Sequence, residues 1–416
     1  MLKPLYKFCG VLVLSILSCS VSIAQTNTLD HYLEVAKNNS PLLKDLRNQV
    51  ASTKLDSLRL RAGFKPQVNA NSGGLYAPVV NGFGYSEAIT NEHTLNALVG
   101  VSQAILSKNN IGAQYADINL QGQTAGNTAK ISTQDLIKSI TSQYITAYGD
   151  LLQYKFAQEI IELLSKEEQL LKKLTRANVY RQTDYLAFLV TLKQQQLQLL
   201  QAKIQYRTDY TTLNYLSGIA DTTVRELAEP KIEQSMLADP GSSVFFMQYK
   251  IDSLKLQNQR KLVDLTYKPK ISLNADGGYN SDFMGQAYKN FGFSGGFSFT
   301  MPIYDGGQKK LQYQKLSLEE ETRQGYEAFF KVQYRQQIAQ LRQQIADTKG
   351  LVAQIDEQIK YTENLIKVDS DLLETGDVKI ADLILAINNY LTIKNLRTTT
   401  NISQLQLINQ LNYFNK

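Results

Sequence analysis

The stretch FGFSGGFSFTMPIYDGGQKK, residues 291–310, decides the fold. As far as Thr300, large apolar residues alternate with small or polar ones, so a β-strand formed here would carry its phenylalanines on one face. This alternation is typical of an ordinary half-buried strand, and equally of a strand with lipid on one face and water on the other. The apolar face of the predicted strand carries Phe291, Phe293, Phe297 and Phe299.

The segment after this strand predicts a very long helix. Pro302 and the Asp305-Gly306-Gly307 turn end the strand, and from Gln308 onward the chain has almost no Gly or Pro. A helix from about 308 to 375 would extend roughly 100 Å at about 1.5 Å per residue. Average helices in compact domains are far shorter, so the chain is not an ordinary globule.

The N-terminus has the pattern of an export signal. Two lysines precede an apolar run of about ten residues, which is too short to span a membrane. A small-residue cleavage site ends at Ala24, so we predict that residues 1–24 are a signal peptide removed before Gln25. The alternative is lipidation of Cys19, because the residues before it resemble a lipoprotein box.

Composition excludes several classes of function. Both cysteines, Cys9 and Cys19, lie in the predicted signal, so the mature chain has neither a disulfide framework nor a cysteine metal site. A net charge of +6 is no nucleic-acid signature. The two histidines, His31 and His93, are far apart, and no nucleophile motif, phosphate-binding loop or dinucleotide fingerprint occurs. We therefore predict no enzyme, no cofactor, no metal and no nucleic-acid partner.

An internal repeat at an offset of 198 residues organises the chain. The tetrapeptide LNYL at 213–216 matches LNYF at 411–414, and DYL at 184–186 matches DLI at 382–384. Several anchors in one register predict a duplication. The predicted boundaries are 25–220 for the first repeat, 221–237 for a linker and 238–416 for the second repeat.

Each repeat is expected to have the same order of elements. Short helices lead to two strands, and a long helix then turns into a returning one. Apolar residues recur along the long helices at spacings of three and four, which indicates either a coiled-coil seam or the core of a plain bundle. The strands are predicted at about 67–106 and 270–303, and the coiled coils at about 112–216 and 308–414.

The turns between the paired helices are equivalent in the two repeats. Gly376 in the second turn aligns with Asn178 in the first, again at an offset of 198. Glycine and asparagine best tolerate the left-handed conformation that ends many helices. Both residues are therefore predicted turn residues.

Two hairpins with an apolar outer face cannot complete a barrel. About eight strands are the practical minimum for closure, and one chain is predicted to supply four. After the signal, no apolar run of about 18 residues predicts a transmembrane helix, so a membrane-spanning role would require closed strands. Two, three or more copies of the chain would have to share them.

Five short motifs, taken in order, carry a family resemblance. They are Leu29-Asp30 with Asn38-Asn39-Ser40-Pro41; Val101-Ser102-Gln103; Met301-Pro302-Ile303-Tyr304-Asp305-Gly306-Gly307; Gly376 with Ala381-Asp382-Leu383; and Leu407-Ile408-Asn409-Gln410-Leu411-Asn412-Tyr413. With them, nearly the whole mature chain resembles the TolC-like outer-membrane factors of Gram-negative bacteria. The first repeat departs from the family pattern, because it lacks both the Pro-x-x-Asp-Gly-Gly turn and the coil-turn glycine.

The resemblance implies a mainly α fold with a transmembrane β-barrel portion. It implies a homotrimer with a 12-stranded barrel in outer-membrane lipid and an α-helical tunnel in the periplasm. It also implies a passive exit duct of a tripartite efflux pump or a type I secretion system, docked to a periplasmic adaptor protein and to an inner-membrane efflux pump or ABC exporter. The four phenylalanines of the strand would then face lipid.

The resemblance also places the coil turns at the periplasmic tip, where the channel closes. The candidate gate and selectivity residues are Arg176, Arg181, Asp184, Asp377, Lys379 and Asp382. In a threefold assembly each charge becomes a ring, and rings of one sign set ion selectivity. The alternative is that Asp184 and Asp377 cap helix N-termini and that the basic residues are merely solvated.

A rival function is a periplasmic coiled-coil adaptor or scaffold without a pore. It explains the predicted export and the long helical hairpins. It does not explain two strand pairs with apolar alternation at equivalent positions of the two repeats. The channel interpretation is therefore preferred.

Overall fold

The structure is a computed structural model that describes residues 27–85, 93–235, 243–282 and 288–414. The predicted signal peptide, Cys19 and the cleavage site before Gln25 lie outside the described residues, as do the end of the predicted linker and the first residues of the second repeat. The elements are α1 (Leu29–Asn39), α2 (Pro41–Gly63), β1 (Gln67–Tyr76), β2 (His93–Ile105), α3 (Lys108–Arg176), α4 (Gln182–Ser217), α5 (Val244–Thr266), β3 (Lys270–Ser281), β4 (Phe291–Thr300), α6 (Gln308–Thr375) and α7 (Ile380–Phe414).

Each of the two predicted strand pairs is followed by a long helix and a returning helix, and the predicted mainly helical fold class is confirmed. Two helices, α1 and α2, precede the first strand pair, whereas among the described residues of the second repeat α5 alone precedes the second pair. Helix α6 has the predicted bounds, whereas α3 begins four residues earlier than predicted. The reason is Ser107, whose Oγ accepts a hydrogen bond from the Asn110 N–H at 3.3 Å and so caps the first turn. Strand β4 ends at Thr300, before Pro302, because proline has no N–H to donate to a ladder.

The described chain divides into two compact units, and each predicted repeat contributes to both. The strand unit comprises the described residues of Leu42–Ser132 and Ala238–Arg335. The coil unit comprises the described residues of Met1–Pro41, Thr133–Leu237 and Gln336–Lys416. Among the described residues, no helix has both the length and the apolar character needed to cross a membrane.

The strand unit contains one antiparallel sheet with the order β1-β2-β3-β4. Directly paired residues share a face, and the register joins the four strands through Val68 with Val101, Ile105 with Ile271, and Ile271 with Phe299. The residues of this shared face are mostly large and apolar. Those with apolar side chains larger than alanine are Val68, Tyr76, Leu95, Val99, Val101, Ile105, Ile271, Leu273, Tyr279, Phe291, Phe293, Phe297 and Phe299.

Two of the clusters of buried side chains in the coil unit bear on the site. One, near the coil turns, joins α3, α4, α6 and α7 through Leu171, Phe188, Leu373 and Leu383. The other surrounds Tyr144, whose hydroxyl donates to the backbone carbonyls of Asn27 at 2.7 Å and Ala228 at 2.6 Å. The seam predicted along the long helices is thus partly the core of a helical bundle within one chain.

Candidate functional site

The two coil turns end their helices with the same backbone motif. In the first turn, the N–H of Val179 donates to the carbonyl of Leu174 at 3.0 Å, and Asn178 has a φ of 61°. In the second, the N–H of Asp377 donates to the carbonyl of Leu372 at 3.0 Å, and Gly376 has a φ of 80°. These are Schellman caps with a left-handed residue. Asn178 and Gly376 therefore occupy equivalent turn positions.

The two turns also contact each other. A Cβ added to Gly376 would lie 2.7 Å from Cγ1 of Val179. The hydroxyl of Tyr180 donates to the carbonyl of Val378 at 3.0 Å, where Val378 is buried. One turn therefore fixes the position of the other. Sequence reasoning missed Tyr180, although an aromatic residue directly after a left-handed turn was a signal for it.

The structure brings the charged gate candidates together at this end of the coil unit but gives them different surroundings. Arg176, Arg181, Asp377, Lys379 and Asp382 are exposed. Asp377 is not an N-cap of α7, because it lies in the Schellman cap of α6 and the first turn of α7 begins from the Lys379 carbonyl, which accepts from the Asp382 N–H at 2.9 Å. Capping therefore does not explain Asp377.

Asp184 differs from the other candidates because its carboxylate is engaged. It is half-buried in the first turn of α4, and its Oδ2 accepts a hydrogen bond from the Arg181 N–H at 3.3 Å. The N–H of Asp184 in turn donates to the Arg181 carbonyl at 3.1 Å. Asp184 is thus the N3 residue of a capping box whose N-cap is Arg181, rather than the N-cap that the alternative expected.

A further acidic residue lies behind Asp382. Asp369 of α6 is 8% exposed, and burial together with the nearby Asp382 carboxylate raises its pKa. Burial likewise raises the pKa of Tyr180, with Asp377 and Asp184 acting in the same direction. Sequence reasoning missed Asp369, although an acidic residue between Ile366 and Leu373 on an apolar seam was a signal.

A second acidic pair lies between α3 and α4. Burial, together with the neighbouring Asp209, raises the pKa of Asp150 to about 7. Burial opposes ionisation of Asp209 too, but hydrogen bonds from Asp150, Gln143 and Gln205 bring its pKa below the ordinary value. As pH falls below about 7, Asp150 therefore takes up a proton while Asp209 stays ionised.

The apolar sheet face is open to its surroundings. Phe293 is 92% exposed and Phe297 76% exposed, and Phe291 and Phe299 are more than half exposed. The opposite face is small and polar, with Ser272 and Ser298 hydroxyls 2.6 Å apart and the Ser294 hydroxyl donating to Asp276 at 2.7 Å. One face of the sheet thus suits hydrocarbon and the other water.

Metal ligands are not grouped in the described part of the chain. No set of three or more His, Cys, Asp or Glu residues there has an arrangement that could hold a metal ion. The His93 side chain lies outside the described side chains, and His31 is in α1, where its N–H donates to the Thr28 hydroxyl at 3.4 Å.

Solved membrane proteins have the same fold. A membrane protein from Pseudomonas aeruginosa aligns with a TM-score of 0.77 at 13% identity, covering 92% of this chain and 89% of that chain. CusC, described for its folding and transmembrane channel formation, aligns with a TM-score of 0.78 at 10% identity over 94% and 92%. The outer membrane protein VceC from Vibrio cholerae aligns with a TM-score of 0.75 at 13% identity over 92% and 94%.

No protein-family model and no curated protein matches the sequence. Among the solved structures, OprN, the CmeC protein of Campylobacter jejuni and the MtrE protein of Neisseria gonorrhoeae are also described as outer-membrane channels. The chain therefore has the fold of outer-membrane channels that the TolC-like resemblance implied, along almost its whole described length.

Proposed function

We propose that this chain is an outer-membrane exit duct of a tripartite efflux pump or a type I secretion system. The single observation that carries the proposal is the strand register, because it collects most of the large apolar residues of the four strands on one exposed face. Strands of about ten residues, apolar outside and polar inside, suit a barrel that crosses an outer membrane. The shared fold with outer-membrane channels supports the same role.

The sheet also supports assembly from several copies. Within the described residues, β1 and β4 are edge strands with a partner on one side only. Unpaired backbone groups cannot face hydrocarbon, so these edges must be satisfied by other copies. Three copies would supply a 12-stranded barrel, as the TolC-like resemblance implies, and Phe291, Phe293, Phe297 and Phe299 would face outer-membrane lipid.

The coil turns would then form the periplasmic end of the duct. The proposed partners there are a periplasmic adaptor protein and an inner-membrane efflux pump or ABC exporter, and conduction through the duct is passive. The proposed gate and selectivity residues remain Arg176, Arg181, Asp184, Asp377, Lys379 and Asp382. The structure favours Asp382 over Asp184 as a selectivity residue, since Asp382 is exposed whereas the Asp184 carboxylate accepts from Arg181.

The test is single-channel recording of the detergent-extracted full chain in a planar bilayer, with the mass of the same sample measured in parallel. A trimeric mass with discrete conductance steps is expected. Heat-unfolded protein from the same preparation is the control and should give no steps. A monomer that stays soluble without detergent and gives no steps would overturn the proposal and favour a periplasmic scaffold.

The same recordings test the gate assignment. Asp382→Asn removes one exposed carboxylate per copy and should lower the preference for cations. The matched control is Asp347→Asn, which removes an exposed carboxylate from the same helix hairpin, further from the coil turns. Equal selectivity of wild type and Asp382→Asn would remove Asp382 from the gate without affecting the channel assignment.

A further inference from the structure

We propose that a lysine-lined groove in the strand unit binds the phosphate group of an anionic phospholipid. The groove has a volume of about 500 Å³ and lies between the start of α3 and the end of α5. Its lining includes Lys108, Asn109, Gly112, Asn258, Lys261 and Lys268. The inference rests on the proposed function, because it requires the sheet to stand in a membrane.

The groove carries positive charge that is not neutralised. Lys108, Lys261 and Lys268 are all exposed, and within the described chain none of the three forms an ion pair with a carboxylate. The ammonium groups around this groove therefore attract an anionic ligand.

The acidic residue of the groove is already paired. Asp264 lines the groove, but its Oδ1 accepts from Lys309 Nζ at 3.0 Å and from the Tyr313 hydroxyl. These hydrogen bonds, with that from Tyr313 contributing most, lower the pKa of Asp264. Its negative charge is thus matched by Lys309, and the charge of the three groove lysines remains.

Small residues leave the groove open. Beyond Lys108 and Asn109, the lining contributed by α3 is Gly112, Ala113 and Ala116, and a Cβ added to Gly112 would meet no atom within 4 Å. The opposite wall is fixed by Asn258, whose Nδ2 donates to the Ala113 carbonyl at 3.0 Å. A phosphate group and part of its glycerol can enter without moving the walls.

The position of the groove identifies the ligand as a lipid. Lys268 precedes β3 by two residues and Lys108 follows β2 by three, so the groove lies at the helix end of the sheet. At that end of the apolar face, Ile105 and Ile271 pair directly and are 51% and 39% exposed. A phospholipid satisfies both features at once, with its acyl chains near the apolar face and its phosphate among the lysines.

Further lysines at this end favour a negatively charged membrane surface. Lys65 precedes β1, Lys270 begins β3, and Lys310 follows β4, and all three are exposed. Each lysine near an anionic surface contributes about 1 kcal/mol, which is about fivefold in affinity. A zwitterionic lipid would not gain this attraction.

The test counts lipids bound to the full chain in detergent by native mass spectrometry. The probes are short-chain phosphatidylglycerol, phosphatidylcholine of the same chain length, and inorganic phosphate. The groove variant combines Lys108→Gln, Lys261→Gln and Lys268→Gln. The matched control combines Lys331→Gln, Lys349→Gln and Lys360→Gln, which removes the same charge from exposed positions on α6.

We expect wild type and control to bind phosphatidylglycerol at least tenfold more tightly than phosphatidylcholine, and the groove variant to lose most of this preference. Gly112→Asp, which places a carboxylate in the open groove, should have the same effect without removing a lysine. Unchanged phosphatidylglycerol binding in both variants would overturn the proposal. Tight binding of inorganic phosphate with no preference between the two lipids would show that the groove binds free phosphate rather than a phospholipid.

Conductance separates this inference from the proposed function. Both groove variants should still form trimers and give wild-type conductance steps, because the lysines lie beyond the strands. Normal channels with unchanged lipid binding would reject the groove alone. A wild-type protein without trimers or conductance would reject the exit duct instead.

Discussion

Apolar side chains are buried beside the coil turns but exposed on the sheet. Leu383 and Phe188 beside the coil turns are 0% exposed within one chain, whereas Phe293 and Phe297 of β4 are among its most exposed residues. Burial of apolar surface is the main favourable term in folding. The helix ends beside the coil turns thus bury an apolar core within one chain, whereas the sheet leaves its apolar face open. In the proposed barrel, lipid and other copies would cover that face.

Phe297→Arg tests the exposed apolar face, and we expect it to have the largest effect. An arginine near the middle of a lipid-facing strand costs about 2–4 kcal/mol for each copy, so the outer-membrane fraction and the trimer should both decline severely. Gly296→Arg is the matched control, because Gly296 points to the polar face, where an added Cβ meets nothing within 4 Å. Heat-modifiable migration of the outer-membrane fraction on gels measures the amount of inserted protein and the amount of trimer for each variant. Equal loss in the two variants would contradict the assigned faces.

The next largest effect is expected from Leu383→Ala, which truncates a side chain in the buried cluster near the coil turns. Truncation of a fully buried leucine costs about 2–5 kcal/mol, so thermal unfolding of the helices, followed by circular dichroism, should begin at a lower temperature. Leu385→Ala is the control: Leu385 is 59% exposed, and we expect a change of less than about 0.5 kcal/mol. Similar losses at both positions would mean that the tip is not a self-contained core.

A smaller effect is expected from pH, through Asp150 in the helices of the coil unit. Its pKa is about 7 in the folded chain, against an ordinary 3.8. Between these values the unfolded chain binds fewer protons than the folded chain, so the free energy of unfolding falls as pH rises. The melting temperature should therefore be higher at pH 5 than at pH 8.

Asp150→Asn isolates this contribution. The variant should show a shallower fall in melting temperature than wild type between pH 5 and pH 8, because the amide does not ionise. Asp347→Asn, at an exposed carboxylate, should leave the wild-type slope unchanged. If melting temperature fell equally with pH in wild type and Asp150→Asn, Asp150 would not have a raised pKa in the folded chain.

The smallest effect is expected at the turn itself. Gly376→Ala forces a side chain into a φ of 80° and against Val179, and should cost about 1 kcal/mol. Gly350→Ala, in open space within α6, should instead stabilise by about 0.5–1 kcal/mol. The two variants should shift the melting temperature in opposite directions. A stabilising Gly376→Ala would contradict the left-handed conformation assigned to Gly376.

Local patterns predicted the elements well. The alternation of Phe291 to Phe299 gave β4, and the offset of 198 residues aligned Asn178 with Gly376, which the structure places at equivalent left-handed positions. These features depend on periods of two and about 3.6 residues and on turn chemistry, which short stretches encode. The chain order of helices and strands followed from them.

Long-range pairing could not be read in the same way. The apolar face depends on register across strands, and a slip of one residue would have reversed it. Leu75 and Leu98 lie on the polar face, so β1 and β2 alternate less clearly than β4. Lys108 lines one groove with Lys261 and Lys268 only because α3 lies against α5, where Asn258 bonds to Ala113. Residues that are brought together by tertiary packing in this way cannot be identified from their spacing in the sequence.

In the proposed duct, the open edges of the sheet would have a consequence for the time before the chain reaches the membrane. Between export and insertion, β1 and β4 would offer unpaired backbone groups beside a bare apolar face, the combination through which strands aggregate. If the chain is the proposed duct, we expect a periplasmic chaperone to cover the strand unit during delivery, while the coil unit folds on its own. Depleting such an escort should cause losses that begin with the strands and leave the helical tip intact.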